Sequence, residues 1–258
     1  MELKDKIIVV TGGGSGIGAG LCRRFAQEGA KAIVVADIVE ADAQRVAEEM
    51  GGIAKAVDVS DEAQVKKLIE EVEAEVGPID VFCSNAGILV LDPSHAASSS
   101  NEDWDRIWQI NVMAHVYAAR HLIPLMLERG GGYLVNTASA AGLLSQIGSS
   151  PYSVTKHAAV GFAESLSIAH GDQGIRVSVV CPQAVRSKMT AGSEGGGVAG
   201  GDGMLEPADL AETTVQGMRE ERFLILPHPQ VEEYMKRKTS DYDRWLKGMR
   251  RWRDQFVK

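Results

Sequence analysis

Residues 7–18 constrain this chain more than any other stretch. Ile7-Ile8-Val9-Val10 is a continuous apolar run, the pattern of a strand buried on both faces. It leads directly into Thr11-Gly12-Gly13-Gly14-Ser15-Gly16-Ile17-Gly18, and residues 17–28 continue as a helix with Ile17, Leu21 and Phe25 on one face. Strand, glycine turn and helix in immediate succession set the positive end of a helix at the carboxyl end of a buried strand. Glycines there let the backbone turn tightly and come close to a ligand, and the helix end favours a pyrophosphate. Two registers fit the turn. Gly14-x-Gly16-x-x-Ala19 matches the general dinucleotide fingerprint, and Thr11-Gly12-x-x-x-Gly16-x-Gly18 matches a second one.

The rest of the chain alternates strand and helix patterns. Strands are expected at Ala32–Ala36, Ile53–Val57, Ile79–Cys83, Tyr133–Asn136, Ile175–Val180 and Phe223–Leu226. Helices are expected at Ala41–Met50, Asp61–Val76, 102–127 with Pro124 as a kink, Pro151–His170 capped by Ser150, and Pro207–Met218. The last 30 residues also read as helical. This order predicts an α/β fold: a single-domain, Rossmann-type doubly wound sandwich over residues 1–258, with a seven-stranded parallel sheet and helices on both faces. Residues 192–203 hold seven glycines and read as a mobile loop.

Several function classes are disfavoured. A net charge of −8 argues against nucleic acid as a partner. Cys22, Cys83 and Cys181 are far apart and odd in number, so they read as buried free thiols rather than as a disulfide or zinc framework. The six histidines show no metal-ligand spacing, so no metal is expected. The first apolar run is too short for a signal peptide, and no stretch is long enough to span a membrane; a cytoplasmic protein without a membrane partner is expected.

The chemistry-bearing residues fall at one edge of the expected sheet. Asp37 ends the second strand, 19 residues after Gly18, where an acid accepts hydrogen bonds from the adenosine ribose and repels a 2′-phosphate. No Lys or Arg occupies Ser15 or Ile38, so NAD is favoured over NADP; Asp37 as a simple helix cap is the competing reading. Tyr152-x-x-x-Lys156 lies in the first turns of a helix, so the two side chains share a face. The ammonium and the helix end both favour the phenolate, which would exchange a proton with a hydroxyl while hydride moves to or from nicotinamide. Ser139 follows the fifth strand, where a hydroxyl would steady developing charge on a substrate oxygen.

These residues resemble the short-chain dehydrogenase/reductase family, in its branch of about 250 residues, from about Lys4 to about Leu226. Thr11-Gly12-x-x-x-Gly16-x-Gly18 is similar to that family's glycine turn, Asp58-Val59 to its adenine-contacting pair, and Ser84-Asn85-Ala86-Gly87 to its Asn-Asn-Ala-Gly. The resemblance implies a catalytic tetrad of Asn111, Ser139, Tyr152 and Lys156. In it Asn111 holds a water of the proton relay and Lys156 also binds the nicotinamide ribose. It implies cofactor contacts from Gly12, Gly14, Ser15, Gly16, Ile17, Gly18, Asp37, Asp58, Val59, Asn85, Ala86 and Gly87, and from Tyr152, Lys156, Pro182, Val185 and Ser187. Pro182-Gln183 departs from the family's Pro-Gly, which puts Gln183 beside the nicotinamide.

By position, the resemblance assigns the substrate pocket to Ala140, Leu143, Gln146, Ile147, Gln183 and Met189, and a flexible lid to about 188–205. It also implies a homotetramer, or a dimer, with helices 102–127 and 151–170 at an interface. A C-terminal helical extension over about 228–258 carries one aromatic stripe, Tyr242, Trp245, Met249, Trp252 and Phe256, with basic residues on its other faces. Packing on the protein or on a sister subunit is favoured for it over a membrane surface or nucleic acid. The function expected is an NAD-dependent oxidoreductase acting on a small-molecule secondary alcohol or ketone. The alternatives are an NADP-linked carbonyl reductase and a non-catalytic dinucleotide sensor or scaffold.

Overall fold

The computed structural model describes residues 1–192 and 194–256; the parts of the expected lid and C-terminal extension at Ser193, Val257 and Lys258 lie outside the described residues. Seven strands form one sheet: β1 (Ile7–Thr11), β2 (Ala32–Asp37), β3 (Ile53–Ala56), β4 (Val81–Ser84), β5 (Gly132–Thr137), β6 (Ile175–Val180) and β7 (Leu224–Ile225). Their order is β3-β2-β1-β4-β5-β6-β7, and every neighbouring pair is parallel. The expected doubly wound α/β architecture is therefore what the chain forms. The winding reverses between β1 and β4, which opens a crevice beyond their carboxyl ends.

The period of two along each strand explains why both faces need helices. In β1, Ile7 and Val9 point into one core while Ile8 and Val10 point into the other. The first core is closed by α3 (Glu62–Glu75), α5 (Ala114–Glu128) and α6 (Ser150–His170) through Leu68, Ile69, Leu122 and Ala163. The second is closed by α1 (Gly16–Gln27), α2 (Glu40–Glu48) and α7 (Pro207–Arg219) through Leu21, Phe25, Val46 and Leu210. Burying one such Leu, Ile or Phe side chain is worth roughly 1.5–3 kcal/mol, so a sheet lined on both faces is held by many such terms.

Two local expectations need correction. Helix 102–127 is not uniform: α4 (Asn101–Trp108) passes through a wide π turn at Gln109–Met113 before α5 begins, and α5 then runs unbroken through Pro124, where the sequence predicts a kink. One widened turn shifts the apolar face by a single residue, too little to stand out over a segment of this length. Ser150 does not cap α6; Ser149 precedes the helix, and the Ser150 hydroxyl instead bonds Asp92 Oδ1 at 2.8 Å and the Ala96 carbonyl. Beyond β7, α8 (Gln230–Ser240) and α9 (Tyr242–Arg253) complete the described chain. Among the described residues no helix is long and apolar enough to cross a membrane.

Candidate active site

The glycine turn adopts the second of the two registers. Gly12 and Gly16 have φ of +64° and +49°, a region that a side chain rarely tolerates. A Cβ on Gly18 would stand 2.1 Å from the Gly12 carbonyl oxygen, so α1 presses directly on the turn. Thr11 ties this turn to β4: its hydroxyl accepts from Asn85 N–H at 3.0 Å, and the Asn85 amide donates to the Thr11 carbonyl at 3.0 Å. Asp37 accepts from Gly14 N–H at 2.9 Å and from Val39 N–H at 3.0 Å. It is thus a loop anchor as well as a ribose candidate, and both readings of this residue have a basis.

A cleft of about 860 Å³ runs along these strand ends. Of the residues expected to hold a dinucleotide, Gly12, Ser15, Gly16, Ile17, Asp37, Asp58, Val59, Asn85, Ala86, Gly87, Tyr152, Lys156, Pro182, Val185 and Ser187 line it. Gly14 and Gly18 shape its floor without lining it. Ser187 closes on the turn, since a Cβ on Gly16 would stand 3.0 Å from Ser187 Cβ. A bound dinucleotide fits these residues: the cleft has a bare backbone turn at a helix N-terminus, an acid at the end of β2, and room for an extended ligand. Sequence reasoning overlooked two cations here. Arg45 donates to the Gly14 carbonyl at 2.9 Å, and Lys188 pairs with Asp42 at 2.6 Å.

The four expected catalytic residues converge at the inner end of the cleft. Ser139 follows β5 and its hydroxyl accepts from Ala141 N–H at 3.1 Å. Lys156 Nζ donates to the Thr137 carbonyl at 3.1 Å and stands 5.5 Å from the centre of the Tyr152 ring. Asn111 sits in the π turn, fully buried; its side chain exchanges hydrogen bonds with the Ile88 backbone at 2.9 and 3.0 Å and donates to Thr155 Oγ1 at 3.3 Å. Gly87 leaves room for both, because a Cβ there would lie 3.3 Å from Asn111 Oδ1 and 3.4 Å from Lys156 Nζ. Behind this group the 3-10 turn Ala140–Gly142 braces α6, since a Cβ on Gly142 would come within 2.4 Å of the Lys156 carbonyl oxygen.

Burial dominates the electrostatics. It lowers the Lys156 pKa to about 8 and raises that of Tyr152 above its ordinary value, with the Ser139 hydroxyl pulling back. The lowered phenol expected from the sequence is therefore not a property of the chain alone. His115 on α5 is a neighbour the sequence reading passed over. Burial, then the Lys156 charge, hold its pKa down to about 3, and neither ring nitrogen has a hydrogen-bond partner among the described residues. A lone His within a helix offers no signal that it will face a catalytic lysine.

The substrate candidates divide. Gln146, Ile147, Gln183 and Met189 line the cleft, and Ala140, Gln146 and Gln183 line an adjoining cavity of about 910 Å³. Leu143 lines neither; its carbonyl, with that of Leu144, accepts from Lys238 at 2.8 and 2.9 Å. Gln183 N–H donates to His228 Nδ1 at 3.2 Å, while Gln183 Oε1 is buried without a partner among the described residues. The aromatic stripe of the tail packs on the protein itself: Trp245, Met249 and Trp252 form the outer wall of the second cavity, and Phe256 reaches the cleft. Among the described residues no cluster of three or more His, Cys, Asp or Glu could hold a metal ion.

Comparison with known proteins agrees with this geometry. The model of the short chain dehydrogenase family matches residues 6–195, and the chain belongs to that family. It is 35% identical to the meso-2,3-butanediol dehydrogenase of Serratia marcescens over 195 residues, covering 74% of this chain and 76% of that one. It is also 35% identical to the 1-deoxy-11-beta-hydroxypentalenate dehydrogenase of Streptomyces exfoliatus over 231 residues, covering 87% of this chain and 84% of that one. A short chain dehydrogenase/reductase from Burkholderia phymatum, solved in complex with NAD, superposes with a TM-score of 0.85 at 28% identity, covering 94% and 96% of the two chains.

Proposed function

We propose that this protein is an NAD-dependent oxidoreductase that interconverts a secondary alcohol and its ketone, with Asn111, Ser139, Tyr152 and Lys156 as its catalytic residues. The observation that carries this reading is the junction of the two cavities. The cleft that fits a dinucleotide and the cavity beside it share Ser139, Gln146 and Gln183, and Tyr152 and Lys156 lie on the cleft side of that seam. Bound NAD supplies the hydride acceptor, or NADH the donor. The chain's own groups handle the proton: Tyr152 Oη takes it from the alcohol, and Ser139 Oγ holds the same oxygen. Lys156, cationic below about pH 8, stands 5.5 Å from the ring centre, where its charge would oppose the burial that raises the phenol's pKa. Asn111 holds the loop at Ile88, and a Cβ on the neighbouring Gly87 would lie 3.4 Å from Lys156 Nζ.

Asp37 at the end of β2 supports NAD over NADP. Arg45 and Lys188 keep the NADP-linked reading in play, although both are occupied by Asp42 at 3.6 and 2.6 Å. Competitive binding of the two cofactors decides between them. Residues 1–258 are taken as one catalytic unit, cytoplasmic, with about 188–205 as its lid and about 228–258 as a C-terminal helical extension, of which residues between Tyr234 and Trp252 line the substrate cavity. A homotetramer or dimer is supported by apolar surface on the two long helical segments, where Ile168 is 86% exposed and Val154 46% on the second and Trp108 38% on the first. The deciding experiment is NADH formation by the wild type and by Tyr152→Phe on a panel of secondary alcohols. Turnover that vanishes in the variant while NAD still binds supports the reading. Equal activity in the two proteins refutes the mechanism, and NAD binding with no turnover on any alcohol favours the sensor alternative.

A further inference from the structure

The second cavity has two chemistries on one wall. Leu144, Trp245, Met249 and Trp252 give it an apolar body. Arg237, Arg244 and Arg251 stand beside them, the last two being seven residues apart and hence on one side of α9. These guanidinium groups are not equivalent. Arg237 pairs with Glu233 at 3.0 Å, whereas Arg244 and Arg251 form no ion pair among the described residues. The two carboxylates on the wall are already engaged: Asp202 accepts from Tyr234 Oη at 2.9 Å, and Asp241 caps α9 by accepting from Arg244 N–H at 2.9 Å. The Lys238 ammonium, bonded to the Leu143 and Leu144 carbonyls, adds a further positive charge at the edge of the cavity. This concentration of cations occurs in a chain whose net charge is −8.

We propose that the substrate is a bulky alcohol with an apolar ring body and a carboxylate remote from the reacting carbon. Its hydroxyl would lie at Ser139 and Tyr152, its rings against Trp245 and Trp252, and its carboxylate against Arg244 and Arg251. This assignment rests on the oxidoreductase reading and narrows it. Ligand pockets of drug-sized molecules run to roughly 300–1,000 Å³, and the 910 Å³ here is far more than a small neutral diol would fill. Guanidinium forks match a carboxylate through two parallel hydrogen bonds, and aromatic walls favour a ring over a flexible chain.

The test uses matched alcohols: 4-(1-hydroxyethyl)benzoate and 4′-(1-hydroxyethyl)biphenyl-4-carboxylate, each against its primary amide. With the full chain and NAD, each acid should exceed its amide in kcat/KM by about tenfold, the gain lying in KM, as a charge-assisted bidentate contact implies. The double variant Arg244→Gln/Arg251→Gln should erase that preference, and Arg244→Lys/Arg251→Lys should restore part of it. Lys247→Gln, on the same helix but off the cavity wall, should leave the preference intact. Equal KM for acid and amide in the wild type, or a preference that survives the double Gln variant, overturns the assignment. Binding of 4-acetylbenzoate against 4-acetylbenzamide to the chain with NADH, read by tryptophan fluorescence, separates the same outcomes without turnover. Failure of the oxidoreductase reading looks different: no NADH forms from any acid or amide. Failure of the carboxylate assignment leaves the amides turning over as well as the acids.

Discussion

The inner cleft is closed by α1, six of whose twelve residues are buried; the outer cavity is closed by α9, which has twelve residues and none buried. The cleft borrows its walls from the strand ends and the two cores, so its shape and the stability of the sheet are one quantity. The outer cavity is held by contacts at its rim, such as Lys238 Nζ within 5.6 and 5.1 Å of the Tyr242 and Trp245 ring centres. Cation–π contacts of this kind are worth about 0.5–1 kcal/mol where exposed. A change in the first region should therefore cost fold and cofactor binding together, while a change in the second should cost substrate binding alone.

The sharpest way to break that contrast is at the seam. Tyr152→Phe should lower kcat by about 10²–10⁴-fold, the usual worth of a positioned acid–base group, and leave the NAD dissociation constant within about threefold by calorimetry. Gly18→Ala comes next, because its Cβ would meet the Gly12 carbonyl oxygen at 2.1 Å. Overpacking of this kind costs about 1–3 kcal/mol, so the melting temperature should fall and NAD affinity with it. Normal NAD binding in a fully folded variant would contradict the coupling. Trp252→Ala on the outer wall should instead raise the substrate KM about tenfold, with melting temperature and NAD affinity unchanged; a large loss of stability there would erase the distinction.

Acid titration probes the buried side more gently. His115 titrates near pH 6.5 when unfolded but at about 3 when folded, so between those values the unfolded chain holds more protons. Stability is then complete above pH 6.5 and lost as pH falls toward 3, by up to a few kcal/mol (about 1.4 per pH unit). His115→Leu should flatten that acid limb in thermal melts at pH 4.5 and 7; an unchanged slope would place the acid sensitivity elsewhere. The smallest effect belongs to Lys188→Ala. Its pair with Asp42 is largely exposed on the lysine side, and surface pairs are worth about 0–1 kcal/mol. NAD affinity should change less than about threefold, whereas a larger loss would give this cation a direct part in dinucleotide binding.

The same contrast governs what is legible in the chain. The glycine turn, Asp37, Ser139, Tyr152 and Lys156 are legible because strand ends and helix starts carry local signatures, and the structure brings them to one edge. The alternating cores are legible from apolar periodicity, to within two residues at most strand ends. The π turn at Asn111 is not, since it alters hydrogen bonding without altering composition. Nor is the neighbourhood of His115, or the destination of the aromatic stripe. Tyr242 to Phe256 display an amphipathic face, but what such a face covers depends on long-range packing that periodicity does not encode.

That placement has a consequence for descent. The family match ends at residue 195, before the second half of the lid and before both helices that enclose the outer cavity. The stretch that the family model spans thus holds the sheet up to β6, the glycine turn and the four candidate catalytic positions, while both helices around the outer cavity, the last with no buried residue, lie beyond it. Such a segment can drift, or be exchanged between relatives, without unsettling the sheet. On the proposed substrate assignment, grafting residues 228–256 onto a relative would transfer taste rather than chemistry.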